Sequence, residues 1–295
     1  MIRRVMGLLA ALGAVVAMAV FLPASTASAA ECAAPWNASS VYWGGGAASY
    51  NGHNWTAKWW TQNERPGTAD VWADQGSCGS GGGTDPGTPS GFVVSEAQFN
   101  QMFPSRSPFY TYSGLTAALS AYPGFANTGS DTVKRQEAAA FLANVSHETG
   151  GLVYIVEQNT ANYPHYCDTS QSYGCPAGTA AYYGRGPIQL SWNFNYKAAG
   201  DALGIDLLGN PYLVEQNASV AWKTGLWYWN TQSGPGTMTA HNAMVNSAGF
   251  GETIRSINGS LECNGGNPAQ VQSRVDKYRA FVQILGTTPG SNLSC

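Results

Sequence analysis

The run Ser146-His147-Glu148-Thr149-Gly150-Gly151, followed by Glu157-Gln158-Asn159, sets two carboxyl groups close together in a chain where only 11% of residues are charged. One carboxyl that gives up a proton and one carboxylate that accepts a proton from water are the minimum equipment for acid–base hydrolysis, including that of a glycosidic bond. Other chemistries for these residues fail on spacing. His147-Glu148 begins a zinc-protease motif, but Gly151 stands where its second histidine belongs, so the metal lacks a ligand. No G-x-S-x-G elbow occurs, and the only histidines are His53, His147, His165 and His241, which leaves a serine hydrolase unsupported. Gly184-Arg185-Gly186-Pro187 starts like a nucleotide-binding fingerprint, yet Gln189 replaces its third glycine, so it reads as a tight turn. Neither a metal nor a cofactor is expected.

The elements that hold the two carboxyls follow from spacing. Ser130 or Asp131 is a helix N-cap, and Ala138, Phe141, Leu142, Val145 and Thr149 recur at helical intervals, which predicts a helix over 131–149 with one buried stripe. Gly150-Gly151 ends it, because glycine takes the left-handed conformation of a helix terminus without a steric penalty. Glu148 falls in the last turn, bordering the stripe near Phe141 and Val145. Burial and the negative end of the helix dipole both disfavour a carboxylate there, which marks Glu148 as the proton donor. On one unbroken helix Glu157 would point away from Glu148. The glycine break instead lets a β-like segment, 152–156, bring it back across a cleft.

The flanking sequence supplies a frame. Arg3-Arg4, an apolar run from Val5 to Leu22 and then Ala27-Ser28-Ala29 have the three-part layout of a secretory signal, assigned to residues 1–29. A secreted, extracellular protein is therefore expected, with no later apolar run long enough to span a membrane. Removing Arg3 and Arg4 with the leader lowers the formal charge from −3 to −5. So few basic residues argue against nucleic acid or anionic membrane as partner and favour a neutral ligand such as polysaccharide.

Residues 79–91 are rich in Gly, Ser, Thr and Pro and read as a linker between a small unit, 30–78, and a large one, 92–295. All six cysteines, Cys32, Cys78, Cys167, Cys175, Cys263 and Cys295, survive processing, and an even number in an exported chain argues for disulfides. The linker leaves Cys32 and Cys78 together. Among the other four several pairings stay open, the simplest being a short Cys167–Cys175 loop and a Cys263–Cys295 tie for the C-terminal tail.

The small unit, about four dozen residues, is too short for a robust core, so closing Cys32 to Cys78 would add on the order of 4 kcal/mol. Turn signals at Gly44-Gly45-Gly46, Asn51-Gly52 and Pro66-Gly67 separate short aromatic runs and predict a small antiparallel β-unit. It holds six of the ten tryptophans, more than it can bury. Trp36 or Trp72 is expected in the core. Trp59 and Trp60 would face opposite sides of a regular strand, leaving at least one exposed as a platform for a sugar ring.

The stretch from Tyr50-Asn51-Gly52-His53-Asn54-Trp55 through Ala57-Lys58-Trp59-Trp60-Thr61-Gln62 to Arg65-Pro66-Gly67 resembles the chitin-binding modules of carbohydrate-binding families 5 and 12. That resemblance implies that Trp59 and Trp60 contact chitin.

Helical patterns in the large unit run at 95–103, 113–121, 131–149, 193–203, 215–231, 241–247, 250–258 and 268–285, with few strand runs between them, which predicts an α-rich fold with a cleft. Besides the Glu148 run, Tyr182-Tyr183-Gly184-Arg185-Gly186-Pro187-Ile188-Gln189-Leu190-Ser191-Trp192-Asn193-Phe194-Asn195, Lys223-Thr224-Gly225-Leu226-Trp227 and Ile257-Asn258-Gly259-Ser260-Leu261-Glu262-Cys263 together resemble the family 19 glycoside hydrolases. The resemblance implies an α+β architecture, a mostly helical lysozyme-like catalytic domain preceded by the small antiparallel β chitin-binding module. It also implies endo-hydrolysis of β-1,4-linked N-acetylglucosamine polymers with inversion. Glu148 is the implied acid, Glu157 the base and Ser191 a holder of the attacking water. His147, Gln189, Asn195, Lys223, Asn258 and Arg274 fall at substrate-cleft or carboxylate-supporting positions, and Arg274 could keep Glu157 ionised. The expected partners are chitin and N-acetylglucosamine oligomers, met by a monomer. Two rivals are a chitin-binding adhesion protein without activity and a muramidase acting on peptidoglycan; adhesion alone needs no acid–base pair.

Overall fold

The computed structural model describes residues 32–34, 36–38, 40–50, 53–78 and 92–295. The expected leader, the linker and the Asn51-Gly52 turn lie outside the described residues.

In the N-terminal unit the short runs between turns become strands Val41–Tyr42 (β1), Ala47–Tyr50 (β2), His53–Ala57 (β3), Thr61–Gln62 (β4) and Trp72–Ser77 (β5). β2, β3 and β5 form an antiparallel sheet in that order, and β1 pairs with β4. Ala57 faces Trp72 across the β3–β5 ladder, and both are buried with Ala48 and Val71. The small alanines leave room for the indole, whose Nε1 donates to Glu64 O at 2.8 Å. So few buried side chains make a weak core, and the Cys32–Cys78 disulfide, closing a separation of 46 residues, removes much of the freedom of the unfolded chain.

Trp59 and Trp60 are not in a regular strand. β3 ends at Ala57 and the pair occupies the bend before β4, so strand alternation does not apply and both rings are exposed, by 56% and 49%. Gly45 N donates to Ala57 O at 2.7 Å, which draws the preceding turn, with Trp43 at 69% exposure, alongside this bend.

The C-terminal unit comprises helices Glu96–Met102 (α1), Tyr112–Ala118 (α2), Asp131–Glu148 (α3), Asn193–Leu203 (α4), Leu213–Gln216 (α5), Ala218–Thr231 (α6), Ala240–Val245 (α7), Phe250–Glu262 (α8) and Pro268–Ile284 (α9), with 3-10 turns at Leu119–Ala121 and Thr160–Tyr166. Caps explain most boundaries: Ser95 with Gln98 forms a capping box, and Ser130 and Thr239 accept from the amides of Val133 and Asn242. The helix expected at 215–231 is two helices. Asn217 leaves the helical region and starts the second by accepting from Val220 N at 3.1 Å. The helix expected to stop at 258 runs on to Glu262 through a kink at Asn258 (φ −143°, ψ 28°).

α3 is not striped. Every residue from Glu137 to Ser146 is buried, so it is the central helix, and its alanines let α9, α7 and α8 approach closely. Buried Glu137 is satisfied by Trp229 Nε1 (3.0 Å), Ala126 N (2.9 Å) and His241 Nδ1 (2.6 Å). Around α3 lies one apolar cluster containing Phe99, Phe141, Trp222 and Trp229; a second, containing Tyr182, Ile188, Leu190, Tyr196 and Trp227, underlies the 182–192 segment. The first cluster therefore underlies the helix that ends at Glu148, and the second underlies the segment that presents Gln189 and Ser191.

Candidate active site

Glu148 is the last residue of α3. Beyond it Gly150 (φ 61°) and Gly151 (φ 82°) turn the chain sharply. Thr149 Oγ1 secures the turn by donating to Val145 O and accepting from Leu152 N, both at 2.7 Å. A Cβ on Gly150 would come within 2.9 Å of the Tyr154 ring, a second reason for glycine there. The β-like segment expected at 152–156 does not form. Leu152 takes φ 63°, and pairing is reduced to one bridge between Val156 and Arg185. Beside that bridge Gly186 N donates to Ile155 O and Glu157 N to Gly184 O, both at 2.8 Å, which fixes the backbone of Glu157 against the Gly184-Arg185-Gly186 turn.

The Glu157 carboxylate accepts from Asn162 Nδ2 (2.8 Å) and Tyr166 OH (3.0 Å) at one oxygen and from Gly184 N (3.4 Å) at the other. Burial, then the bond to Glu157, pushes the Tyr166 phenol up to about 12, so it stays a donor at neutral pH. A cleft of about 320 Å³ is lined by both Glu148 and Glu157, together with Tyr154, Gln158, Tyr166, Gln189 and Ser191. Gln189 (φ 51°) and Trp192 (φ 76°) flank Leu190-Ser191 in backbone conformations costly for non-glycine residues. Reciprocal bonds between Arg185 and Leu190 (3.1 and 2.9 Å) hold this loop, and Asn195 Nδ2 donates to Ser191 O at 3.0 Å. Asn195 thus supports the loop that presents Ser191.

Arg274 gives its bonds to Glu262, Glu148 and Asn144, so the nearness that would let it favour an ionised Glu157 is not what its contacts provide. From α9, where it is 1% exposed, it donates through Nε to Glu262 Oε2 (2.8 Å), through Nη2 to Glu262 Oε1 (2.7 Å) and to Glu148 Oε1, and through Nη1 to Asn144 Oδ1 (3.0 Å). The reason is topological: α9 packs along α3, so its inward arginine meets the end of α3 and not the loop beyond the glycines. Burial works against charge on Glu262, but the Arg274 bonds and charge outweigh it and hold Glu262 below the usual carboxylate range. Arg274 and Glu262 therefore form a neutral buried pair against which Glu148 rests. Asn258 Nδ2 donates to Glu262 Oε1 at 2.8 Å, made possible by the kink in α8. His147 pairs with Ser273 Oγ at 3.2 Å; burial, then the nearby Arg274 charge, pushes its imidazole down, so it is neutral at neutral pH. Lys223 is half-buried on α6 and does not line the cavity.

Glu262, Asn144, Asn162, Tyr166 and Tyr154 were not singled out from sequence. Glu262 sits inside a motif quoted above, and its only advance signal was a carboxylate next to a cysteine at a helix end. Asn162 and Tyr166 lie in a segment without periodicity and gave no signal.

Disulfides close Cys167 to Cys175 and Cys263 to Cys295. The first follows directly on Tyr166; the second joins the end of α8, next to Glu262, to the C-terminal residue.

Residues 93–295 match the family model described as class I chitinase of glycoside hydrolase family 19. The chain is 48% identical over 188 residues to Endochitinase A of Zea mays, covering 63% of each chain, and 44% identical over 209 residues to Chitinase 6 of Oryza sativa subsp. japonica, covering 70% of this chain and 73% of that one. The match thus spans just under two thirds of the maize protein's length. Among solved structures it is similar to chitinase C from Streptomyces griseus, with TM-score 0.69 and 78% identity over 90% of this chain and 100% of that chain. A class IV chitinase from Zea mays gives TM-score 0.61 at 45% identity over 69% of this chain and 98% of that one.

Proposed function

This chain belongs to glycoside hydrolase family 19, and from that premise we propose that it is a secreted endochitinase cleaving β-1,4 linkages between N-acetylglucosamine residues with inversion. The observation that carries the reading is that Glu148 and Glu157, on separate elements, line one open cleft together with Ser191. Glu148 gives its proton to the glycosidic oxygen. Its partner Arg274 is already neutralised by Glu262, which leaves room for a protonated Glu148 without a buried charge imbalance. Glu157, oriented by the donors Asn162 and Tyr166, takes a proton from the attacking water. The Ser191 hydroxyl both donates and accepts, which suits it to hold that water.

In a single displacement water attacks the face opposite the leaving group, with carboxyls about 6.5–9.5 Å apart to admit it. Fresh product from an N-acetylglucosamine hexamer is therefore expected as the α-anomer in early NMR spectra. Initial β-anomer would mean a covalent intermediate and remove Glu157 from the role of base. Parallel assays on soluble chitin and bacterial cell walls separate this reading from a muramidase, and total inactivity on chitin would leave adhesion.

The N-terminal unit serves as a chitin-binding module in this reading. Trp59 and Trp60, exposed side by side, suit stacking on a crystalline polysaccharide, which raises the local concentration of the tethered catalytic domain. Trp59→Ala with Trp60→Ala is expected to weaken adsorption to insoluble chitin and slow its degradation, with hydrolysis of soluble oligomers unchanged. Circular dichroism establishes that the module remains folded. Unchanged adsorption by the folded double variant would move the binding face, with the still more exposed Trp43 as the next candidate.

A further inference from the structure

Resting on the reading of Glu157 as base, we infer that Tyr163, Tyr183 and Arg185 form a positioning stack that sets this carboxylate, a role separate from the fold of the domain. The segment carrying both side-chain donors to Glu157 is weakly anchored: no residue from 156 to 170 is buried. Segments with so little packing open locally at low cost. Asn162 and Tyr166 nevertheless need to hold their 2.8 and 3.0 Å bonds to Glu157 Oε1, and both sit on the 3-10 turn Thr160–Tyr166.

Tyr163 lies between them. Its hydroxyl donates to Glu157 O at 2.9 Å, and its ring stacks on Tyr183 with centroids 3.6 Å apart and planes 11° from parallel. The Arg185 guanidinium is 3.5 Å from the Tyr183 centroid. Two groups that near cannot share one face, so Tyr183 is sandwiched between Tyr163 and Arg185. Arg185 is itself immobile: it is 0% exposed and donates to Glu215 Oε2 (2.7 Å), Tyr196 OH (2.8 Å) and Ala181 O (2.7 Å). A buried cation against an aromatic face is a favourable contact that also fixes the ring. The far end of the segment is pinned independently, by the Cys167–Cys175 disulfide and by Asn193, which exchanges bonds of 3.0 and 2.9 Å with the Asp168 backbone. The stack is thus the anchor on the side nearest the carboxylate. It transmits the rigidity of the second apolar cluster to a surface turn that buries nothing of its own.

The test compares Tyr183→Leu, which removes the stack, with Tyr183→Phe, which keeps the ring, each alone and combined with Glu157→Gln. On an N-acetylglucosamine hexamer, Tyr183→Leu should lower kcat by on the order of 10–10²-fold with KM within about twofold, the size expected when a reacting group is displaced by about an ångström. Tyr183→Phe should recover most of kcat. In the Glu157→Gln background Tyr183→Leu should cost nothing further. Equal losses for the Leu and Phe variants, a rise in KM in place of the fall in kcat, or a further loss on the Glu157→Gln background would each overturn the proposal. Wild-type turnover by Glu157→Gln alone would instead overturn the reading of the base, and the stack's role with it. If Tyr183→Leu does not fold, Tyr163→Leu is compared with Tyr163→Phe, which keeps the stacked ring and loses only the bond to Glu157 O, and the Leu variant should lose more kcat than the Phe variant.

Discussion

Glu148→Gln is expected to lower kcat on glycol chitin by about 10²–10⁴-fold, or about 3–5 kcal/mol of barrier, while melting temperature and oligomer binding stay close to wild type. The amide keeps the shape of the side chain and its oxygen can still accept from Arg274 Nη2, so the arrangement of Arg274, Glu262 and Asn144 has no reason to relax. What is lost is the transferable proton. The leaving sugar must then depart as an alkoxide, which is the step the acid exists to avoid. Steady-state rates with binding followed by calorimetry separate the two quantities, and wild-type-like turnover would falsify the assignment of Glu148 as the acid.

Arg274→Met is expected to damage stability as well as rate. Arg274 is the partner of Glu262, which is also 1% exposed, and removing one member of a buried pair leaves an uncompensated charge that typically costs about 3–5 kcal/mol. At about 2–4 °C per kcal/mol for a domain of this size, the melting temperature should drop by roughly 10 °C near neutral pH. The effect has a defined pH dependence. Arg274 holds the folded-state Glu262 below its usual range, so the stabilisation is present above the unfolded value and lost as pH falls through the folded one. The gap between wild type and variant should accordingly narrow below about pH 4.3, where Glu262 is protonated in the unfolded chain. Adding Glu262→Gln should recover part of the loss, because it removes the stranded charge. An Arg274→Met protein as stable as wild type at neutral pH, or a gap that widens in acid, would show that the pair is not what holds the ends of α3, α8 and α9 together.

The local signals in the chain were sufficient for the elements. Ser95 with Gln98, Ser130, Pro268 and the Gly150-Gly151 break set helix boundaries to within a residue or two, because caps and breakers act through backbone groups that are their own neighbours. Where a boundary was misjudged, the cause was equally local: Asn217 caps where a continuous helix was expected, and the stretch before Glu157 lacked a partner strand and became a turn. The small β-unit was legible from its turns, but the joint exposure of Trp59 and Trp60 was not, since it depends on β3 ending at Ala57, before the pair.

The candidate carboxyls were legible because their types and spacing carry chemistry wherever the chain goes. Their surroundings were not. Arg274 meets Glu148 from 126 residues away and Glu262 from 12, through the packing of α9 on α3, and no periodicity within either helix specifies which long-range partner an inward arginine will find. The donors to Glu157 depend on a 3-10 turn without an apolar pattern, held by a ring on the opposite side of the cleft loop. Sequence by itself determined which groups could exchange protons and which helix would carry the first of them. Only the tertiary structure decided which carboxyl rests on a neutralised arginine and which accepts from hydroxyl and amide donors, because burial and charge pairing are properties of what packs against a residue and not of what precedes it in the chain.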